Sequence, residues 1–157
     1  LPLRPYAQLT TRTGPAEIGL GLSYDRLDVA TVDNGGGDGD IEMESWMIYL
    51  LAAYPNESRF TPFGELGLAT YRNSFDPIAS WSENGNREFN LDDSQALYLG
   101  AGCDIRVNKG LSANLYLRYV DVDVDGEYVF HLDSRAPKPF TFTLEHIACG
   151  VGVKYVF

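Results

Sequence analysis

Near the C-terminal end, Val151, Val153, Tyr155 and Phe157 fall at every second position, with Gly150, Gly152 and Lys154 between them. Alternate residues of a strand share a face, so the spacing predicts a strand with one apolar-aromatic face and one small or polar face. The same period recurs upstream. Over 110–124, Leu111, Ala113, Leu115, Leu117 and Tyr119 oppose Ser112, Asn114, Tyr116 and Arg118. Over 94–107, Leu97, Leu99, Ala101, Cys103, Ile105 and Val107 oppose Tyr98, Gly100, Gly102, Asp104 and Arg106. Over 60–73, Gly64, Leu66 and Leu68 oppose Phe63, Glu65 and Gly67, and over 16–32, Ile18, Leu20, Leu22 and Tyr24 oppose Glu17, Gly19, Gly21, Ser23 and Asp25. Residues 41–54 and 140–157 complete six strands, and 3–12 is a seventh candidate. In 41–54 the run from Trp46 to Leu51 is apolar on both faces, which leaves its register open. In 140–157 the alternation slips: Phe140, Phe142 and Leu144 are out of phase with Ile147 and Cys149, which predicts a β-bulge near Glu145.

The connections alternate in length. Short turns are predicted at 12–15, 55–59 and 108–110, and long polar loops at 33–40, 74–93 and 125–139. That alternation fits an antiparallel up-and-down barrel with all its tight turns on one rim. A terminal apolar strand in a soluble domain invites aggregation; closure into a barrel within lipid removes the exposed edge. No run of eighteen apolar residues is present, so a transmembrane helix is excluded, whereas transmembrane strands leave no such run.

The tail from Gly150 to Phe157 resembles the C-terminal strand of bacterial outer-membrane β-barrels. Thr61-Pro62-Phe63-Gly64-Glu65-Leu66-Gly67-Leu68 resembles the strand entry of small barrels of the OmpA and OmpX kind. The resemblance implies an all-β, antiparallel transmembrane barrel of eight strands, integral to the outer membrane and occupying 1–157 as one domain. It also implies that Val151, Val153, Tyr155 and Phe157 form the signal read by the barrel-assembly machinery. Seven visible segments conflict with the even number of strands in such barrels. An eighth strand before Leu1, or one supplied by a partner chain, would resolve the conflict.

Composition narrows the partners. A net charge of −10 offers no basic stripe for nucleic acid. No charged and apolar leader stands at the start, so any secretory signal is expected to have been removed. Cys103 and Cys149 lie on apolar faces of strands separated by a third, about 10 Å apart at the usual strand spacing, too far for a bridge. They read as small lipid-facing residues, with an interchain disulfide as the alternative.

Glu17, Asp25, Glu65, Asp104, Arg106, Arg118 and Lys154 all fall on predicted lumen faces. Mixed charges in a narrow barrel are expected to pair into a plug; the alternative is a narrow polar pore. Asp121-Val122-Asp123-Val124-Asp125-Gly126 resembles the first half of an EF-hand loop, but position twelve is Leu132 rather than Glu, so no metal site is expected. Asp33, Asp38 and Asp40 form a second acidic group at the same rim, where weak contact with divalent ions and lipopolysaccharide phosphates is conceivable. Barrel hydrolases and acyltransferases pair a His with a Ser, but no Ser adjoins His146, and His131, Ser112 and Ser134 are candidates by topology alone. Asn56-Glu57-Ser58 matches a glycosylation sequon but reads as a turn. The 74–93 segment carries Phe75, Ile78, Trp81 and Phe89, an apolar content expected to dock on a partner or fold against the barrel mouth. A lipocalin-like soluble barrel is disfavoured by the charged and Gly-rich inner faces. The reading is therefore a noncatalytic outer-membrane barrel without a cofactor, whose loops Phe75, Trp81 and Phe89 contact lipopolysaccharide, another envelope protein or a second copy. The rival is a narrow porin-like channel for ions or small solutes, and a lipid-modifying enzyme ranks behind both.

Overall fold

The computed structural model describes residues 5–33, 36–79, 82, 86–131 and 136–155, with backbone alone at 29, 31–33 and 36–37. Eight strands run through them: β1 Tyr6–Thr13, β2 Ala16–Asp33, β3 Gly36–Ala53, β4 Phe60–Pro77, β5 Arg87–Leu91, β6 Ser94–Arg106, β7 Leu111–Phe130 and β8 Lys138–Tyr155. Every ladder is antiparallel, and together they form one curled sheet. β5 and β6 lie end to end along the same edge of β7, parted by Asp92 and Asp93, so the chain crosses the sheet seven times. β7 pairs β8 on its other side, and β1 pairs β2.

Period-two alternation sets the two faces, and the tight turns set the order. Gly14 takes φ +64° between β1 and β2, a left-handed conformation that glycine adopts without strain, and Pro15 follows it. The other short connections, 54–59 and 107–110, lie on the same rim. At the opposite rim the long loops predicted from the sequence are largely strand. β2 and β3 continue to pair out to Asp33 and Gly36, so no loop spans 33–40. β4 runs to Pro77, β5 occupies 87–91, β7 reaches Phe130 and β8 starts at Lys138, which shortens the other two. These ends place Arg26, Asp28, Glu42, Glu44, Arg72, Asp123 and Asp125 on the outward face.

The outer surface has a sharp boundary. Below it, towards the short turns, Ile18, Leu20, Leu22, Ile48, Leu50, Leu66, Leu68, Leu97, Leu99, Leu115, Leu117, Ile147, Val151 and Val153 all stand exposed. Above it the outward positions become Arg26, Asp28, Glu42, Glu44, Arg72, Asp121, Asp123, Asp125 and Glu145. Trp46 and Tyr24 mark the line, their rings 5.3 Å apart, with Tyr119 on β7. Tyr54, Phe60 and Tyr155 are exposed near the other rim. From Trp46 to Tyr54 is eight residues, about 26 Å along a strand, or about 20 Å along the barrel axis at a tilt near 40°. An apolar band of about 25 Å between aromatic girdles is the lipid-facing surface of a transmembrane barrel.

The interior inverts at the same level. Above the boundary it is mainly apolar, with Ile41, Met43, Val120, Val122 and Val124 buried, Leu27, Phe75, Leu91, Phe142 and Leu144 packed against them, and Asn73 donating to Ser94 and the Asp92 carbonyl among them. This accounts for the slipped alternation in β8. No bulge occurs there: the β7–β8 register runs unbroken from Leu111↔Tyr155 to Tyr128↔Lys138. Phe140, Phe142 and Leu144 point inward, whereas Ile147 and Cys149 point to the outside of an evenly pleated strand. The register shift in these ladders lies instead between Thr31 and Val32. The open register of β3 resolves with Met47, Tyr49 and Leu51 inward and Trp46, Ile48 and Leu50 outward.

Candidate functional site: the lumen

Glu65 on β4 and Arg118 on β7 sit at one level, with Gly100 of β6 between them in both ladders. Two strand spacings separate their backbones by about 10 Å, a gap that two long side chains close from opposite sides. A Cβ at Gly100 would fall on the Glu65 side chain, so glycine there leaves the crossing free. Arg118 Nε donates to Glu65 Oε1, and the paired side chains retain only 4% and 2% of their exposure.

The guanidinium also lies over three tyrosine rings, 4.9 Å from the centroid of Tyr98, 5.4 Å from Tyr116 and 5.5 Å from Tyr49, with Met47 Sδ 3.3 Å from Nη1. Cation–ring attraction is strongest when both partners are shielded from water, as here. The rings have room because glycines stand beside them. Tyr49 pairs across from Gly21 and Gly67, Tyr98 from Gly67, and Tyr116 from Gly102 and Gly150. Tyr49 Oη accepts a hydrogen bond from Gln8 Nε2 at 2.9 Å, tying β1 to the cluster.

Towards the short-turn rim lies a second cluster. Asp104 Oδ2 is 2.7 Å from Lys154 Nζ, and Asp104 Oδ1 accepts from Asn114 Nδ2 at 2.6 Å. Of the lumen residues expected from the sequence, four therefore form two separate pairs. Glu17 and Asp25 are half-buried on the inner face of β2, and Asp25 Oδ1 accepts the backbone N–H of Arg26. Arg106 stands apart: it is exposed at the rim, where its guanidinium donates to the Ser58 carbonyl. Asn56 Oδ1 accepts the Ser58 N–H in the adjoining turn.

Phe75 and Phe89 lie in β4 and β5 rather than in a loop, and both turn into the outer mouth of the sheet. Phe89 stacks on Phe140 at 4.6 Å and contacts Tyr128 at 4.8 Å and Phe75 at 4.9 Å. Trp81, Ser134 and Phe157 lie outside the described residues, as do the side chain of Asp33 and residues 34–35 after it. Val151, Val153 and Tyr155, the other members of the expected assembly signal, face outward at 72%, 71% and 62% exposure. Asp121, Asp123 and Asp125 also face outward, and Thr143 and Thr141 hydroxyls donate to Asp123 and Asp125. His131 Nε2 meets Glu88 at 3.0 Å on the rim. His146 faces inward opposite Val120, far along β7 from Ser112, which pairs across from Lys154. Cys103 and Cys149 are free thiols on outward positions of β6 and β8, with β7 between them.

Tyr49, Tyr98, Tyr116, Met47 and Gly100 were not singled out by sequence reasoning. The signal is an inward aromatic opposite an inward glycine on a neighbouring strand, and it becomes readable only once the inter-strand register is known.

No family model matches the chain, and no curated protein matches its sequence. Among solved structures the chain is similar to the outer membrane protein OprG from Pseudomonas aeruginosa. The superposition has a TM-score of 0.70 at 18% identity and covers 97% of this chain and 80% of that one. The chain thus has the fold of an outer-membrane β-barrel, the all-β antiparallel architecture expected from the alternation.

Proposed function

We propose that the protein is a noncatalytic, integral outer-membrane barrel that acts through the surface it presents beyond the bilayer rather than through an open lumen. One observation carries this reading: Arg118, held by Glu65 and enclosed by Tyr49, Tyr98 and Tyr116, fills the interior at mid-height. Above it the buried valines and Met43 continue the filling, and the Phe75–Phe89–Phe140 stack sits at the mouth.

The strand lengths support the second half of the proposal. Crossing the hydrocarbon takes about 9–11 tilted residues, whereas β2, β3, β4 and β8 each have 18. The remainder projects as a charged collar, in which Arg26 pairs with Asp28 at 3.1 Å and with Glu42 at 2.7 Å. On this reading the collar lies against the lipopolysaccharide layer, and the outward carboxylates Asp121, Asp123 and Asp125 would meet its phosphates through divalent cations.

Planar-bilayer recording tests the closed lumen against the channel reading. Purified protein is expected to give no steady openings. Steady single-channel currents that change with Glu65→Ala or Arg118→Ala would establish the channel instead. For the collar, thermal unfolding in detergent with purified lipopolysaccharide and calcium is expected to shift upward, and the shift to shrink in an Asp121→Asn, Asp123→Asn, Asp125→Asn variant. An equal shift in the variant would remove the collar from the account.

A further inference from the structure

We infer that Arg59, Arg106 and Lys109 form a docking site for the headgroup of an anionic phospholipid in the leaflet that meets the short turns. The inference rests on the outer-membrane placement proposed above. Arg59 closes the connection from β3 to β4, Arg106 ends β6, and Lys109 lies in the turn from β6 to β7. The β4–β6 ladder brings the two turns to one corner, where the Arg106 N–H donates to the Arg59 carbonyl at 2.8 Å.

The corner is held by its own hydrogen bonds. The Arg106 guanidinium donates through Nη2 to the Ser58 carbonyl, and Asn56 Oδ1 accepts the Ser58 N–H at 2.8 Å. In the other turn, Asn108 Oδ1 accepts the N–H groups of Gly110 and Leu111 at 3.0 and 3.1 Å, which fixes the backbone around Lys109. All three cations are exposed, and among the described residues none has a carboxylate within ion-pair distance. Arg26, Arg118 and Lys154 each have one. Glu57 is the sole carboxylate in the two turns, so the corner has a surplus of positive charge on a chain of net charge −10. The carboxylates Asp121, Asp123, Asp125 and Glu145 stand outward at the opposite rim.

The surroundings point to a lipid rather than to a soluble anion. Phe60 and Val107 follow Arg59 and Arg106 in the chain and stand 55% and 63% exposed, with Tyr54 beside them at 55%. Apolar and aromatic side chains directly above cations occur where a barrel passes from hydrocarbon to headgroups. Arg and Lys lay their stems along such a fringe and hold their charges at the level of the phosphates. Arg106 spends one N–H on Ser58; its other N–H groups and those of Arg59 can meet phosphate oxygens two at a time, and Lys109 adds a point charge. Three cations favour a phosphodiester with no amine of its own over a zwitterionic headgroup, whose ammonium they repel. The acidic collar repels the same anionic headgroup, so the preference belongs to one leaflet only.

Native mass spectrometry tests the inference on protein released from nanodiscs containing equal amounts of phosphatidylglycerol and phosphatidylethanolamine. The parent is expected to retain phosphatidylglycerol over phosphatidylethanolamine by about tenfold. Arg59→Gln, Arg106→Gln, Lys109→Gln should retain the two about equally, and Arg59→Lys with Arg106→Lys should keep most of the parent's preference. Arg72→Gln, Arg87→Gln, Lys138→Gln removes the same charge from the far rim and should leave the preference unchanged. Equal retention by the parent, or the same loss in the far-rim variant, overturns the proposal. So does displacement of the lipid by soluble glycerophosphoglycerol at equal concentration, which would mean a site for free anions. Binding to isolated peptidoglycan that depends on the three cations, without a headgroup preference, would mean a different partner and overturns it too. If the triple variant does not refold, Arg59→Gln with Lys109→Gln decides the question, since neither side chain makes a hydrogen bond among the described residues. Flotation with neutral phosphatidylcholine vesicles scores insertion separately. Protein that does not float overturns the membrane placement and this inference with it, whereas flotation without headgroup preference overturns the inference alone.

Discussion

Removing Glu65 or Arg118 singly should damage the protein far more than replacing both. The two side chains are 2% and 4% exposed, so neither charge is solvated once its partner is gone. Breaking a buried pair costs about 3–5 kcal/mol, whereas replacing both partners with apolar residues of similar volume is often close to neutral. The surroundings make the two single variants unequal. After Glu65→Leu, Arg118 keeps the rings of Tyr49, Tyr98 and Tyr116, which can supply about 2 kcal/mol to a desolvated cation, so the loss belongs near about 3 kcal/mol. After Arg118→Met, the electron-rich rings give the buried Glu65 carboxylate no such compensation, and the loss belongs near about 5 kcal/mol. The double variant should return to within about 1–2 kcal/mol of the parent, a coupling of several kcal/mol. Urea unfolding in phospholipid vesicles, followed by tryptophan fluorescence, measures all four corners of the cycle. Additivity within about 0.5 kcal/mol would show that the pair is not coupled and that the plug assignment is wrong.

The boundary on the outer surface gives a second test: Leu99→Arg should cost about 2–4 kcal/mol and Asp123→Arg close to nothing, and similar losses at both positions would mean that the bilayer is not where the apolar band puts it. Gly14→Ala should lose about 1–2 kcal/mol because the turn holds φ +64°, with Gly14→Asn losing less; unfolding midpoints of the two variants decide it. Gly100→Val should reproduce much of the Glu65→Leu loss, since the added side chain occupies the space where Glu65 crosses to Arg118; unaltered stability would show that the crossing can go round it. Deleting Phe157 should reduce outer-membrane insertion in cells, scored by fractionation, and normal insertion would remove this residue from the assembly signal.

The strands between the aromatic girdles were legible because one face meets lipid and the other a polar lumen, so an apolar residue every second position identifies both element and orientation. Glu65, Arg118, Asp104 and Lys154 were placed in the lumen by phase alone. Their partners were not, because pairing depends on register across strands: Glu65 and Arg118 meet only because Gly100 lies between them in two ladders. Arg106 shared their phase but sits past the last covered level, at the rim. The outer strand ends within 33–40, 74–93 and 125–139 read as loops in the sequence because polar, Gly-rich runs such as the one near Asp38 look like solvated connections. The period of two continues through Val120, Val122 and Val124, however, with the apolar side now inward. A change of solvent outside the barrel produces the same sequence slip as a bulge, and only the unbroken β7–β8 register separates the two.

That inversion also fixes how deep the barrel sits. The ladder carries the switch across neighbouring strands: Tyr24, Trp46, Thr70 and Gln95 are in register, and one pleat higher Arg26, Glu44 and Arg72 are in register. Sliding the barrel inward by one pleat would bring those three residues, with Asp121 and Glu145, to the hydrocarbon edge. Each costs up to about 1 kcal/mol near the interface and more with depth. Sliding it outward would lift Leu22, Ile48, Leu68, Leu97 and Ile147 towards water, each losing up to about 1.5–3 kcal/mol if it left the hydrocarbon. Both displacements rise steeply from one minimum. The apolar interior above the line reinforces it, because Val120, Val122, Val124 and Met43 hold the upper sheet together by excluding water. That force acts only where the outside of the barrel is wet. The upper half is therefore built as a water-exposed barrel and the lower half as a membrane barrel, and the same strands serve both because a pleated strand can exchange the polarity of its faces without changing its geometry.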